Sequence, residues 1–226
     1  MRHYIKALIV FATLSSCDHK NGNGMDDNQG GQNGFGTRDS AITSVIQSLP
    51  QIFNESQKKM YGLSESDMKA LAPGRDVVVR HVTYEAILSA LDSSLSPMLP
   101  GDKNSVAVPL AVNNVPRLFV TLSNDKNKWS IGSVGNRRLL DAFRDAQNTA
   151  NAELVSIPGL EIELVRLVDS VASRGAMYEP LETNNAAGLL KNARYSDREI
   201  MQKLRTYAQV LNRQFGDKLK TGEIDR

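Results

Sequence analysis

The chain has 226 residues, of which 27 are basic, 25 are acidic and 3 are histidine, and its formal net charge is +2. A chain this close to neutrality lacks the broad positive field on which nucleic-acid binding depends, so nucleic acid is excluded as an expected partner. A hydrophobic content of 41% is typical of a chain that forms a globular domain.

The first seventeen residues have the pattern of an export signal. Arg2 and Lys6 precede an apolar run at residues 7–14, and small residues follow up to Cys17. This run is too short for a membrane-spanning helix, which needs about 20 apolar residues. The ending Leu14-Ser15-Ser16-Cys17 resembles the lipobox of bacterial lipoprotein precursors.

That resemblance implies that residues 1–16 are removed and that Cys17 is diacylated and becomes the mature N-terminus. Cys17 is the only cysteine of the chain, and lipidation would explain an unpaired thiol in an exported protein. Two or more acyl chains hold a protein stably on a membrane, whereas one chain does not. Loss of Arg2 and Lys6 with the signal leaves 25 basic and 25 acidic residues, so the mature chain is formally neutral.

The expected location is therefore the bacterial cell envelope, with the membrane bound through the lipid on Cys17. The outer membrane is favoured. Asp18, directly after Cys17, resembles the signal that retains enteric lipoproteins at the inner membrane, so that membrane stays an alternative. Residues 17–38 are rich in glycine and asparagine, and we expect Cys17 to be followed by a flexible tether.

Residues 39–226 are predicted to form a single α+β domain. The expected architecture is one antiparallel sheet, made of a three-stranded meander and additional strands, with helices packed on it. N-terminal helices open the domain and a long C-terminal amphipathic helix closes it.

Three short helices are expected first. Apolar residues recur at helical spacing over residues 41–49, and Ser40 is suited to cap this helix. Pro50 fits the first turn of a second helix that we expect to end at Met60. A third helix is predicted for residues 64–71.

A run rich in valine predicts a strand at residues 76–82, and Thr83 can cap a helix over residues 84–95. Between residues 105 and 135, three alternating runs are separated by short turns, the first at Asn113-Asn114. Such turns predict a three-stranded antiparallel meander. Pro109 cannot donate a ladder hydrogen bond, which places the first of these strands towards an edge.

The last part of the chain predicts a helix, a hairpin and a long helix. The first helix covers residues 137–152. Pro158-Gly159 supports a hairpin whose second strand begins at Leu160 and continues to Val168. As an alternative, residues 164–171 would also suit a helix. Residues 173–185 are expected to be irregular. Ser196 and Glu199 form a capping box for a helix that Gly216 ends, and its apolar stripe should pack on the sheet.

His81 is the only histidine of the predicted domain, which contains no cysteine. This composition does not provide an ordinary zinc site, and we expect neither a metal ion nor a cofactor. A serine–histidine–aspartate arrangement with His81 as base lacks a Gly-x-Ser-x-Gly elbow. His81 is therefore interpreted as a structural or surface residue.

Two clusters of charged residues are candidate sites. Glu161 and Glu163 are predicted on one face of a strand, about 7 Å apart, where a solvated strand face is the simpler interpretation. Arg137, Arg138 and Arg144 lie at a helix start that could bind an anion, but acidic neighbours on the same helix offset their charge. No catalytic residue is assigned, and Cys17, as the lipidation site, is the one site predicted.

The favoured hypothesis is a non-enzymatic binding or assembly module that meets an envelope protein or a small ligand. The alternative is a lipid-anchored envelope hydrolase whose active-site residues do not cluster in the sequence. A compact apolar pocket with converging polar groups around His81, Arg80 or Glu161 would favour the hydrolase. A flat surface would favour the binding module.

Overall fold

A computed structural model describes residues 34–101, 103–144, 152–168 and 175–221. The predicted signal peptide, Cys17 and residues 18–33 of the predicted tether lie outside these ranges. The described helices are α1 (Arg38–Ile52), α2 (Glu55–Tyr61), α3 (Glu65–Lys69), α4 (Tyr84–Ser89), α5 (Arg137–Arg144) and α6 (Asp197–Thr221). The described strands are β1 (Ala72–Pro73), β2 (Val77–His81), β3 (Ser105–Val112), β4 (Val115–Asp125), β5 (Lys128–Val134), β6 (Ala152–Ile157), β7 (Ile162–Val168), β8 (Ala176–Pro180) and β9 (Tyr195–Ser196).

The nine strands form one sheet, which confirms the predicted α+β class. The order across the sheet is β5-β4-β3-β2-β6-β7-β8-β9, and β1 pairs with β3 next to β2. The expectation of a wholly antiparallel sheet differs from the structure in one pair, because β2 and β6 run parallel. Their connection contains α4, the meander and α5, which is long enough for the crossover that parallel strands need.

The predicted meander is confirmed by β3, β4 and β5, which pair antiparallel in sequence order. Its two turns are two residues long, at Asn113-Asn114 and Lys126-Asn127, and all four residues have positive φ angles between 49° and 64°. Two successive left-handed residues are typical of a type I′ turn, whose twist matches that of the flanking strands. Asparagine tolerates this conformation better than most residues, which explains its use here.

The expectation that Pro109 places β3 at an edge is wrong. β3 has β4 on one side and both β1 and β2 on the other. The main-chain N–H of Gly74 donates to the Pro109 carbonyl oxygen at 2.7 Å. In an antiparallel pair, the main-chain nitrogen and oxygen of one residue point to the same neighbouring strand. The nitrogen of Pro109, which has no hydrogen to donate, therefore points to the side where β1 ends and β2 begins. No hydrogen bond of the sheet is lost at this break.

Two predicted helix boundaries near the N-terminus are wrong. Thr37, not Ser40, caps α1, and Ser40 completes the capping box from the third helical position. Pro50 does not begin a helix but lies inside α1, two residues before its end. α2 begins after the cap Asn54, and α3, predicted for residues 64–71, begins after the cap Ser64 and ends at Lys69.

α4 is shorter than predicted, because the chain leaves the helix at Ala90. Arg205 on α6 donates to the carbonyl oxygens of Ala90 and Asp92, and Asp197 accepts the main-chain N–H groups of Leu95 and Ser96. These hydrogen bonds hold the main chain of residues 90–96 in a non-helical conformation. Leu95 is buried, whereas Leu91 is fully exposed.

The hairpin of β6 and β7 is confirmed, and β7 extends to Val168, so the helical alternative for residues 164–168 is wrong. Leu160 does not lie in the strand but in a short 3₁₀ turn, Pro158–Leu160. Ala152, predicted at the end of a helix, is the first residue of β6, and residues 145–151 lie outside the described ranges. The region expected to be irregular contains β8.

The capping box at the start of α6 is confirmed: the Ser196 N–H donates to the Glu199 carboxylate at 2.8 Å, and the Glu199 N–H donates to the Ser196 hydroxyl at 3.4 Å. The predicted end is wrong, since α6 passes through Gly216 to Thr221. An interior glycine costs a helix only about 1 kcal/mol relative to alanine, which does not suffice to end it. The apolar stripe packs on the sheet at Ile200 and Leu204 and becomes exposed at Phe215.

Helices cover both faces of the sheet. On one face, α1 and α3 pack on the alternate residues of β3 and β4, while α4 and α6 pack on β6, β7 and β8. The opposite face is covered by α5, whose Leu139, Leu140 and Phe143 contact Ala107 and Phe119. Because strand side chains alternate between faces, neighbouring residues such as Ala107 and Val108 enter different cores.

Candidate ligand-binding groove

An open groove of about 710 Å³ lies between the turn that joins β6 to β7, the segment that follows β8 and the C-terminal half of α6. We call it the hairpin groove. It is lined by the β6–β7 turn and start of β7 (residues 158–163), the segment after β8 (residues 181–185 and Leu189), three residues of α6 (Tyr207, Leu211 and Phe215), the first residues of α4 (Tyr84 and Glu85) and Arg138 of α5.

The turn is held against α4 by close packing. A Cβ atom at Gly159 would lie 2.7 Å from the Cβ of Tyr84, so only glycine allows this approach. The Tyr84 hydroxyl donates to the Ala208 carbonyl oxygen at 3.1 Å, which connects α4 to α6. Glu161 closes the turn in a left-handed conformation with a φ of 53°. One side of the groove is therefore fixed to the helices.

The opposite wall is a small closed loop. Asn184 and Leu189 exchange main-chain hydrogen bonds of 2.8 and 2.9 Å, and the Asn184 side chain accepts the N–H of Ala187 at 3.0 Å. Lys203 on α6 donates to the Gly188 carbonyl oxygen at 2.9 Å. The wall is thus held by its own hydrogen bonds and by a tie to α6.

The floor and one side of the groove are apolar. Leu160, Ile162, Leu181 and Leu189 are buried beneath it. α6 presents an aromatic and aliphatic row, Tyr207, Leu211 and Phe215, at spacings of four residues, which places them on one helix face. Phe215, at the end of the row, is 42% exposed.

The polar lining is mainly acidic. Glu85, Glu161, Glu163 and Glu182 line the groove, whereas Arg138 is the one basic residue among the described lining residues. Arg138 and Glu182 form an ion pair with 2.6 Å between Nε and Oε1, and the side chains are 49% and 54% exposed. The positive charge of Arg138 is therefore already compensated, and the groove as a whole carries negative charge.

The environment of Glu163 perturbs the pKa of its carboxyl. Burial raises the pKa of its carboxyl, and the charge of Glu182 adds to this effect, while Arg138 and a hydrogen bond with Asn136 oppose it. The net shift of the pKa is upward. The carboxyl of Glu163 therefore keeps its proton at a higher pH than the carboxyl of an exposed glutamic acid does. A carboxyl that keeps its proton can donate a hydrogen bond or act as a general acid.

The structure brings Glu161 and Glu163 to the same groove but not to the same strand face. Glu161 lies in the turn before β7, and Glu163 lies within β7, so the predicted placement on one strand is wrong. Arg137 is directed elsewhere: its Nε is 3.0 Å from Asp141 Oδ1, and its guanidinium donates to the Met60 carbonyl oxygen at 2.6 Å. With Arg138 bound to Glu182, no anion site forms at the described start of α5. The Arg144 side chain lies outside the described part.

His81 and Arg80 lie outside the groove. His81 is exposed at the end of β2 and is in register with Ser156 on β6, which is in register with Glu163 on β7. In a catalytic triad the histidine lies between the serine and the carboxylate, whereas here the serine lies in the middle. The register therefore does not match a triad.

Arg80 belongs to a buried ion network. Its side chain is 10% exposed, and its guanidinium lies 2.7 Å from Glu153 on β6 and 2.6 Å from the Pro100 carbonyl oxygen. Arg166 on β7 binds the second oxygen of Glu153 at 2.7 Å. Two guanidinium groups around one carboxylate make a structural link between strands.

Sequence patterns did not indicate Glu85, Glu182 or the α6 row as parts of one site. They come from segments far apart in the chain, and no local motif joins them. Within the described ranges, no three side chains of histidine, cysteine, aspartate or glutamate are grouped so as to hold a metal ion. None of the described helices combines the length and the apolar character that crossing a membrane requires. The chain matches no protein-family model, no curated protein and no solved structure.

Proposed function

We propose that this protein is a lipid-anchored component of the bacterial envelope whose α+β domain binds a partner or ligand in the hairpin groove and does not transform it. Two features support the proposal. The ending Leu14-Ser15-Ser16-Cys17 resembles a lipobox, which implies the anchor. The groove supplies a place where a ligand can bind.

The groove is the observation that carries the proposal. Its volume of about 710 Å³ lies within the range of natural ligand sites, about 300–1,000 Å³. It combines an apolar wall with a small number of polar groups, the usual composition of such sites. Its walls are fixed by Gly159, the Asn184–Leu189 loop and α6, so little ordering is needed when a ligand binds.

Site-specific photocrosslinking in the native host tests this proposal. A photoreactive phenylalanine analogue replaces Asn185 in the groove wall or Phe215 at the groove rim, one position at a time. The matched control is Leu91, which is fully exposed and does not line the groove. Adducts are identified by mass after illumination of intact cells.

We expect the same defined adduct from Asn185 and from Phe215, and none from Leu91. Binding in the groove predicts this pattern because crosslinking requires prolonged contact. Equal labelling at all three positions, or no adduct at the two groove positions, would contradict the proposal.

A second candidate function is an envelope hydrolase, and Glu163 is the observation that favours it. Glycoside hydrolases place two carboxyl groups on either side of the bond to be cleaved, one of them a general acid. Glu163 is half-buried with a raised pKa, and Glu161 and Glu182 line the same groove. Glu161 lines the groove, as the hydrolase hypothesis expects, whereas His81 and Arg80 do not, and against this candidate the groove is open to solvent and not compact.

The hydrolase hypothesis is tested with purified protein and isolated host envelopes. Catalysis by Glu163 predicts release of soluble glycan fragments that stops in the Glu163→Gln variant and continues in Glu179→Gln. Glu179 is a suitable control, because it lies on neighbouring β8 and does not line the groove. The absence of fragments with the unaltered protein would rule this candidate out.

A further inference from the structure

We propose that the hairpin groove binds a cationic peptide segment, a stretch of polypeptide that carries lysine or arginine next to apolar side chains. The inference rests on the proposed function, because it names the ligand class of the same groove. It follows from the charge, the apolar row and the open shape of the groove.

The charge of the groove favours a cation. Among the described lining residues, glutamates outnumber arginines by four to one, and the arginine is compensated by Glu182 at 2.6 Å. Glu85, Glu161 and Glu163 add their negative charge around the same volume. An anionic ligand would meet like charges at close range, whereas a lysine or arginine would meet opposite ones.

The row on α6 favours apolar groups beside the cation. Tyr207, Leu211 and Phe215 lie on one helix face, and Phe215 remains 42% exposed although it is aromatic. Burial of such surface contributes about 25 cal/mol per Å². The rings of Tyr84, Tyr207 and Phe215 can also attract a cation placed over their faces.

The groove is open, so a segment of a longer chain can reach it. The turn at residues 158–161 lies on one side and the loop at residues 183–185 on the other. Thr183 and Asn185 carry hydrogen-bonding groups at the rim that suit a peptide main chain.

The test uses the complete mature protein in micelles of a neutral maltoside detergent, with fluorescence anisotropy of labelled octapeptides. Three probes are compared: alternating lysine and leucine, alternating glutamate and leucine, and alternating lysine and serine. Micelles without protein give the background. We expect the lysine–leucine peptide to bind tightest and to weaken as salt is added, since part of its attraction is electrostatic.

Variants locate the binding. Removal of two charges by Glu161→Gln with Glu163→Gln should weaken binding of the lysine–leucine peptide about tenfold. The matched control, Glu55→Gln with Glu65→Gln, removes the same charge from α2 and α3 outside the groove and should leave affinity unchanged. If the groove pair fails to fold, as judged by circular dichroism, Glu85→Gln provides a single-charge test at an exposed position.

The apolar contribution is tested with Phe215→Ser, which should weaken binding about fivefold, against Leu91→Ser, which should not. Equal binding of the glutamate–leucine peptide, also weakened by Phe215→Ser, would overturn the cationic class and leave a ligand groove in place. Binding that no groove variant alters, or no binding of the lysine–leucine peptide, would overturn the inference. The proposed function is decided separately by the crosslinks at Asn185 and Phe215.

Discussion

Arg80 on β2 and Glu153 on β6 form an ion pair across the one parallel pair among the described strands, with 2.7 Å between Nη2 and Oε1. Arg166 on β7 binds the other oxygen of Glu153, so one carboxylate joins three neighbouring strands. Burial alone would raise the pKa of Glu153, but the hydrogen bonds and charges of both arginines outweigh burial and lower it. The network stabilises the pairing of β2 with β6. These two strands are far apart in the chain, so no short turn holds them together.

Glu153→Ala should therefore destabilise the fold strongly. It leaves two largely buried guanidinium groups without their shared carboxylate, a change that typically costs about 3–5 kcal/mol. The control is Glu179→Ala, whose partner Arg194 is 64% exposed, and an exposed pair contributes only about 0–1 kcal/mol. Urea unfolding measures both variants. Equal small losses would show that the network contributes little to stability.

Tyr178 should ionise far above the usual range for tyrosine. Burial raises the pKa of Tyr178 to about 12, and the negative charge of Asp197 adds to this shift, while a hydrogen bond with Ser96 and the charge of Arg166 oppose it. Subtracting the ultraviolet titration of Tyr178→Phe from that of the unaltered protein should isolate a phenol with this pKa. A difference curve centred near the model-peptide value of about 10 would contradict it.

The sign of the stability change follows from the same shift. Because the folded pKa of Tyr178 is raised, its contribution is complete below the unfolded pKa of about 10 and is lost as the pH rises towards the folded value. The unaltered protein should therefore lose more stability between about pH 10 and 12 than Tyr178→Phe does. Unfolding in urea at a series of alkaline pH values measures this difference.

Glu163→Gln should stabilise the protein at neutral pH. Burial is the main cause of the raised pKa of Glu163, so the folded state favours its protonated form, and its ionisation at neutral pH costs stability. Glutamine carries no charge and can still bond to Asn136. The advantage of the variant should shrink as the pH falls towards the unfolded pKa, about 4.3. A stability difference that does not depend on pH would contradict this explanation.

Phe35 should control the environment of Trp129, the only tryptophan in the chain. The two residues exchange main-chain hydrogen bonds of 2.8 Å, and both pack against the core beneath α1. Phe35→Ala should shift the tryptophan emission to longer wavelength and cost about 1–2 kcal/mol of stability. Deletion of residues 18–33, which keeps this pair, should leave the emission unchanged, as should Phe215→Ala. An unchanged spectrum in Phe35→Ala would contradict the contact.

The anchor proposed for Cys17 predicts a defined mature mass. Protein purified from the native host should begin at Cys17 and carry acyl groups, and it should sediment with membranes. Cys17→Ser should abolish the acyl groups, which the mass of the purified protein measures. A bare thiol at Cys17, or retention of residues 1–16, would remove the basis for placing the protein at a membrane.

Local patterns predicted the elements that local contacts form. The meander follows from alternation and from asparagine turns, since each strand pairs with the next one along the chain. β8 was missed because its five residues, Ala-Met-Tyr-Glu-Pro, show little β-branched character, and pairing with β7 decides its conformation. The end of α4 was misplaced for a similar reason, as contacts from α6 hold residues 90–96.

The groove could not be predicted from the chain in this way. Glu161 and Glu163 stood out as a pair, but their relation to Glu182 and Phe215 depends on the packing of α6 and of the segment after β8 on the β6–β7 hairpin. The parallel pairing of β2 and β6 is equally non-local, since about seventy residues separate them. Only the assembled sheet brings these residues together.

The pairing of Phe35 with Trp129 determines where the chain enters the body, at the β5 margin of the sheet. β7 lies five strand positions away, roughly 24 Å at the usual spacing of about 4.8 Å. For a protein held by Cys17, the tether would thus join the body several strands away from the groove. Because the tether joins the body away from the groove, a partner could bind in the groove without contacting the point of attachment.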